Sequence, residues 1–305
     1  MGADFAHARK KGVFMSGFTY QAITALAFTV FAQGCNDSGF QVAPLDTQGQ
    51  TIAPVPPPTV CDPFGSGGTS TRQNGFDAKL TYILPNSPVI AAGLTTSSFE
   101  TGSTDVVTSP IRLILSQLAI STRPFTEGFA AKDTGAKLTD LNGDILNEYF
   151  SVRGAANLKL GPTDMAGDYE IALLSDDGSI LDVDQNANGN YTRWVDNDGT
   201  HGNTFACAPN VLTMTATSEI PMRMNYYQGP RVRIALMMLW RLKNATAEME
   251  CGHLRADDYY FVPVGTNPSS PTANYNALLT RGWKPLSPAN YVLPNKTVNP
   301  CAALK

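Results

Sequence analysis

Residues 167–184 read Gly167-Asp-Tyr-Glu-Ile-Ala-Leu-Leu-Ser-Asp-Asp-Gly-Ser-Ile-Leu-Asp-Val-Asp184. Tyr169 to Leu174 and Ile180 to Val183 are short, apolar and rich in strand-forming residues, and Asp176-Asp177-Gly178 between them is a turn signal. Two adjacent acids at a strand end repel one another unless they are turned apart or share a cation. A hard cation such as Ca2+ satisfies both through oxygen ligands. A hairpin turn in which the acids cap backbone amides satisfies them equally well. Ser175 to Ser179 alone admit both readings.

The same alternation of short apolar runs and turn signals extends in both directions. Leu80 to Leu84 is strand-like, and Ile111 to Ile120 fits a strand or a short helix. Glu148 to Val152, Asn157 to Leu160, Val211 to Ala216, Met222 to Tyr227 and Val232 to Trp240 are short and β-favouring. Asn188-Gly189, Asp198-Gly199 and Gly229-Pro230 separate them. This pattern predicts an all-β chain, an antiparallel sandwich or barrel, and the lack of strand–helix alternation argues against Rossmann and TIM architectures. From Asn244 the chain turns irregular, with a short helix and turn expected over Tyr275 to Trp283. That segment is expected to wrap the same domain, since a separate core of that size is marginal.

Three further motifs follow in order. Val195-Asp-Asn-Asp-Gly-Thr-His201 is a polar turn, Ile220-Pro-Met-Arg-Met-Asn-Tyr-Tyr-Gln-Gly229 a strand with paired tyrosines, and Ile234 to Trp240 an apolar strand ending in Trp. Together with the Ser-Asp-Asp-Gly-Ser turn, they resemble the protective-antigen-type (PA-fourteen) domain family over residues 145–241. The resemblance implies a β-sandwich found in secreted toxins, glycosidases, flocculins and bacterial surface proteins. It also implies a Ca2+ site at Asp176 and Asp177, which in lectin-like members are joined by a cis peptide. Asn244 is the weaker third ligand, and sugar hydroxyls complete the ion's shell. The partners implied are glycans or other cell-surface polymers.

Asp184, Asn186 and Asn188, followed by Gly189, fit the first half of an EF-hand loop, but Val195 stands where the bidentate Glu is required. A polar hairpin loop able to touch a ligand is the better reading. Asp196, Asp198 and Trp194 are further ligand candidates, and His201 is expected to organise its turn. Tyr226 and Tyr227 point to opposite faces of a strand, so at most one can be exposed to stack on a sugar, while Trp240 is expected in the core. Asp257 and Asp258 form another acidic pair without a motif. No GxSxG elbow, HExxH or P-loop occurs, so no catalytic residues are assigned. A structural envelope protein and, third, a glycoside hydrolase are the competing readings.

Composition agrees with an exported β-sandwich. The 305 residues carry 22 basic and 26 acidic groups, and only 16% are charged. There is no basic excess for nucleic acid. Arg9, Lys10 and Lys11 precede an uncharged run from Val13 to Ala32, the pattern of an export signal. Ala32-Gln33-Gly34-Cys35 resembles a lipoprotein processing site, which makes Cys35 the expected lipid-bearing residue and membrane anchor; an ordinary signal peptide or an uncleaved anchor helix is the alternative, since 20 uncharged residues can span a bilayer. Residues 1–34 are then removed. Three basic groups and one acidic group go with them, leaving a 19 to 25 balance and net charge −6. Residues 35–75, rich in Pro, Gly and Ser, read as a tether, and residues 76–305 as one domain. Asn36 and Asp37 favour the outer membrane of a bacterial envelope. Cys61, Cys207, Cys251 and Cys301 allow three disulfide connectivities. Cys207–Cys251 with Cys61–Cys301 is the expected one.

Overall fold

Tyr169 to Leu174 and Ile180 to Val183 do form strands, but the turn between them is not a hairpin. The first strand lies in one sheet and the second in the other, so Asp176 and Asp177 sit where the chain crosses between two layers. This is a computed structural model, and it describes residues 59–61, 74–100, 102–129, 138–243, 251–262 and 270–294. The signal segment, Cys35, Asn244 and Cys301, and with it the expected Cys61–Cys301 pair, lie outside the described residues.

The main strands are β1 (Thr59–Cys61), β2 (Phe76–Ile83), β3 (Val106–Leu115), β4 (Ala119–Pro124), β5 (Phe150–Leu158), β6 (Gly167–Asp176), β7 (Ser179–Val183), β8 (Thr192–Asn197), β9 (Thr204–Cys207), β10 (Leu212–Met214), β11 (Ile220–Gln228) and β12 (Arg233–Leu242). The larger sheet runs β1-β3-β2-β5-β11-β7-β8, with Tyr291–Val292 added to β5. The smaller sheet centres on β9-β6-β12, with β10 on β6 and β4 on β12. Among the described pairings only β1 with β3 is parallel. The fold is thus an antiparallel β-sandwich, as the sequence pattern predicts.

Two hydrophobicity patterns have one cause. In β2, Phe76, Ala78, Leu80 and Tyr82 face the core while Lys79 faces water, because that sheet has a wet outer face. β6 and β12 read IALL and IALMMLW because the smaller sheet is buried on both sides. Ile171, Leu173, Met238 and Trp240 fill the space between the sheets. Ala172, Leu174, Met237 and Leu239 face outward against Tyr260, Phe261, Tyr275, Leu278 and Trp283. The cover comes from the C-terminal segment, including the helix Ala273–Thr280. The Cys207–Cys251 disulfide ties its start to β9. On the same outer side, Arg241 Nε donates to Glu170 Oε2 at 2.6 Å, with the Arg241 side chain fully buried. Its guanidinium lies 4.7 Å from the Trp283 ring.

Several local expectations change. Ile111 to Ile120 is neither one strand nor a helix; it is the end of β3, a bend and the start of β4. Glu148 to Val152 and Asn157 to Leu160 are not separate strands, because β5 runs unbroken through Gly154. A Cβ there would stand 2.4 Å from the Asp77 carbonyl and 2.5 Å from the Phe76 ring, so the glycine marks a close approach and not a break. Three residues of the expected tether, Thr59–Cys61, pair with β3, since a short β-branched run can add to an open sheet edge.

Candidate functional site

The four motifs converge on the Asp176–Asp177 turn, and the peptide bond between the two acids is cis. Ser175 Oγ and Ser179 Oγ close the turn at 2.7 Å. Asn197 Nδ2, from the second motif, donates to Ser175 Oγ at 2.8 Å. The Tyr227 amide, from the third, donates to the Gly178 carbonyl at 2.9 Å. Tyr226 Oη lies 2.7 Å from the Asp176 carbonyl. Gly178 has no room for a side chain: a Cβ would meet Tyr227 Cε1 at 2.3 Å and the Gly199 backbone at 3.0 Å. Gly178→Ala is therefore expected to cost about 1–3 kcal/mol through overpacking, read as a lower urea midpoint at unchanged slope. An unchanged midpoint would mean the turn tolerates the methyl.

The two acids have different jobs. Asp177 is 2% exposed. Its Oδ1 accepts from the His201 amide at 2.9 Å and its Oδ2 from the Gly229 amide at 2.8 Å. It ties two distant loops together and caps no amide of its own turn. Burial pushes its carboxyl up to about 6, against the pull of those two amides and of the His201 ring. Asp176 is 4% exposed, and its carboxylate accepts no hydrogen bond among the described residues. Burial first, then the neighbouring Asp177 and Asp257 carboxylates, push it up to about 8, partly countered by Arg233. Asp257 and Asp176 both look onto Gly202, where a Cβ would stand 3.3 Å from Asp257 Oδ1 and 3.9 Å from Asp176 Oδ2. Arg233 Nε is 3.8 Å from Asp257 Oδ2. The acidic pair at Asp257, which carried no motif, thus supplies a neighbour to the site. Only its doubled acid marked it in the sequence.

The remaining candidates fall into place around this turn or away from it. His201 organises its loop: its ring nitrogens lie 2.8 Å from the Gly202 carbonyl and 3.0 Å from that of Asn197. Asp198 accepts from the amide and hydroxyl of Thr96, at 2.8 and 3.0 Å, and so pins the short 3-10 helix Thr96–Phe99 over the sheet. Asp196 is exposed and bonded to the Asp198 amide. Asp184, Asn186 and Asn188 lie at the opposite end of β7, about 17 Å away by strand length. Asp184 is 2% exposed and accepts from its own loop's Asn188 and Gly189 amides. Neither it nor the exposed Asn186 and Asn188 joins the Asp176 site.

Two aromatic expectations are corrected. Trp194 is 5% exposed and belongs to the core. A register shift between Leu181 and Asp182 makes it the extra residue of a β-bulge, which turns it inward. Tyr226 and Tyr227 do face opposite sides, but both are fully buried. Tyr227 is covered by Phe99 at 5.4 Å between ring centres and donates to the Leu94 carbonyl. Neither ring is free to stack on a sugar. Trp240 is in the core, as expected.

The donor set fits a hard cation on one count. Asp176 holds a carboxylate in a residue only 4% exposed, which receives no hydrogen bond among the described residues and lies near further carboxylates. Among the described residues no group of three or more acidic, His or Cys side chains stands ready-made for a metal, so a complete shell would draw on backbone or bound oxygens.

Two antiparallel sheets bridged by a cis Asp–Asp turn, with the four motifs assembled around it, define a PA14-like β-sandwich. No family model matches the chain, and no curated protein does. Among solved structures it is similar to a PA14 sugar-binding domain from an RTX adhesin, with 16% identity, covering 55% of this chain and 90% of that one at TM-score 0.35. It is similar as well to the A domain of epithelial adhesin 6 from Candida glabrata in complex with Galβ1-3GlcNAc (15% identity, 70% and 97% covered, TM-score 0.37). A third is an anti-sigma factor domain-containing protein (14% identity, 63% of this chain covered, TM-score 0.37). The chain spans about half of that protein, 53% of its length.

Proposed function

We propose that this chain is an exported, lipid-anchored carbohydrate-binding module that takes its glycan through a Ca2+ ion at the Asp176–Asp177 turn. The observation that carries the reading is the buried, unpartnered carboxylate of Asp176. A buried anion without hydrogen bonds is costly, and a bound cation is the common remedy. Ca2+ supplies a hard charge whose remaining coordination positions accept sugar hydroxyls. Asp176 is the principal ligand and Asp177 orients the two loops that frame it. Asp257 adds negative charge at the rim, and Asn244 remains the expected further ligand. Anchoring at Cys35, suggested by the basic start and the apolar run before it, would hold the module at the envelope surface.

The test is Ca2+ titration of the full chain by calorimetry, followed by a glycan array with and without chelator. Wild type is expected to take up Ca2+ and to retain glycans only when the ion is present. The Asp176→Asn, Asp177→Asn double variant is expected to lose both. If both persist in the double variant, the reading is wrong. Turnover of a glycoside panel would instead revive the hydrolase. The structural-protein reading has one observation in its favour, the two loop amides held by Asp177.

A further inference from the structure

Glycine after asparagine leaves its own amide nitrogen unshielded beside the asparagine side chain. The chain has three such pairs, Asn74-Gly75, Asn142-Gly143 and Asn188-Gly189. Their surroundings set them apart. Asn74 is 6% exposed, its Nδ2 donates to the Pro288 carbonyl at 3.0 Å, and the Gly75 amide donates to the Tyr291 carbonyl at 3.1 Å. Asn142 is exposed, but its Nδ2 is tied to Asp140 Oδ2 at 3.3 Å, and the Gly143 amide meets only the neutral Asp140 carbonyl at 3.2 Å. Asn188 differs at all three atoms that would react. The Gly189 amide donates to Asp184 Oδ2, a carboxylate oxygen, at 2.6 Å. The Asn190 amide donates to Asn188 Oδ1 at 3.0 Å. Asn188 is exposed, and its Nδ2 makes no hydrogen bond among the described residues. Asp184 is 2% exposed, and its other oxygen accepts from the Asn188 amide at 3.1 Å, so its carboxylate is fixed in place.

We propose that the loop 184–190 is a self-modifying site, in which Asp184 drives the deamidation of Asn188. The Asp184 carboxylate takes the proton of the Gly189 amide as a general base. The electron pair left on that nitrogen forms a bond to Asn188 Cγ. Both atoms belong to one residue pair, so the chain itself keeps them together. The Cγ–Oδ1 π electrons move onto Oδ1, where the Asn190 N–H meets the developing negative charge. As the carbonyl re-forms, the Cγ–Nδ2 bond breaks. The proton passes through solvent to Nδ2, which leaves as ammonia. Water then opens the cyclic imide at either carbonyl and yields an aspartate or an isoaspartate at position 188. One water enters, one ammonia leaves, and nothing is oxidised or reduced. The product carries a new carboxylate beside the buried Asp184, and in the iso form the backbone is longer by one carbon. The loop joining β7 to β8, the edge strand of the larger sheet, is thus remodelled with age, while the Asp176 turn lies at the other end of β7.

The full chain is to be aged in neutral buffer with chelator, and the conversion at each Asn–Gly pair followed by peptide mapping with mass spectrometry. In the folded chain Asn188 is expected to convert at least about ten-fold faster than Asn142, the effect of a placed base. In urea, where Asp184 no longer holds the Gly189 amide, the two rates should come together. Heavy-oxygen water should leave one labelled oxygen at position 188, with aspartate and isoaspartate both present. Asp184→Asn keeps the size of the side chain and removes the base, so Asn188 should slow to the rate of Asn142 or below. Equal rates at Asn188 and Asn142 in the folded chain overturn the proposal, and this comparison needs no variant. A ratio that persists in urea overturns it too, since local sequence alone then sets the rate. So does a folded Asp184→Asn variant that converts as fast as wild type. Asp176→Asn should age as wild type does, so the Ca2+ reading and this one stand or fall separately.

Discussion

In chelator at neutral pH, Asp176→Asn is expected to stabilise the protein, whereas Asp177→Ala is expected to destabilise it. Both residues are almost fully buried, and from the sequence they look equivalent. Among the described residues no donor reaches the Asp176 carboxylate, and its carboxyl is pushed up to about 8 by burial and by Asp177 and Asp257. Replacing it with a neutral isostere removes a penalty on the order of 2–4 kcal/mol at pH 7. Asp177→Ala strips the acceptor from two amides, at about 1–3 kcal/mol each. For a domain of this size each kcal/mol moves the melting temperature by about 2–4 °C, so the two variants should part by ten degrees or more. Between about pH 4 and pH 8 the folded carboxyls bind protons more tightly than the unfolded chain does. Stability contributed by this pair therefore declines as pH rises through about 6 and about 8, then levels off. Asp176→Asn should flatten that decline, and Ca2+ should offset it most above pH 8. Parallel melting curves for wild type and Asp176→Asn across pH 5 to 9 would remove the basis for treating Asp176 as the charged ligand.

Glu170→Ala is expected to cost about 3–5 kcal/mol, the usual loss when one partner of a buried ion pair is deleted. Arg241 is fully buried, and its charge then lacks the carboxylate that receives its Nε. The side chain is also trapped against Trp283 and cannot turn to water. Arg241→Met with Glu170→Leu, which removes both charges while keeping the volume, should recover most of the loss. Denaturant melts of the three variants decide the matter. If Glu170→Ala is as stable as wild type, the buried pair between β6 and β12 does not contribute to stability.

The strands on either side of the Asp pair were readable because apolar runs and turn residues report local geometry. The four motifs were readable as an ordered set, and the structure joins them at a single turn: Asn197 and His201, Tyr226, Tyr227 and Gly229 bond to it, and Ala235 of β12 pairs with Asp176. What the sequence did not disclose came from distant chain segments. The sequence leaves open which of Tyr226 and Tyr227 is exposed; Phe99, held by Asp198 through Thr96, closes over Tyr227. Trp194 was misjudged because one extra residue in β8 reverses the facing of a side chain, and no pattern announces a bulge. Asp257 reaches the site from a segment with no motif, by way of the C-terminal cover. Glu170 and Arg241 sit in runs whose neighbours are apolar, but their pairing is visible only once β6 and β12 are aligned. The turn itself reads as a hairpin locally, and only the sheet order shows that it crosses from one layer to the other.

The two-sided burial of the smaller sheet also governs how the protein is made. Leu286 belongs to the core between the sheets, Tyr291 pairs with Leu158 of β5, and Trp283 lies against Phe205 of β9. A ribosome delivers these residues after the strands they cover. Until they emerge, the outer sides of β6 and β12 present greasy surface with nothing to lie on it. Synthesis therefore includes an interval in which both sheets have been made and the cover of the smaller one has not. A chain translocated in an extended state would pass through it after crossing, where it could fold in one step.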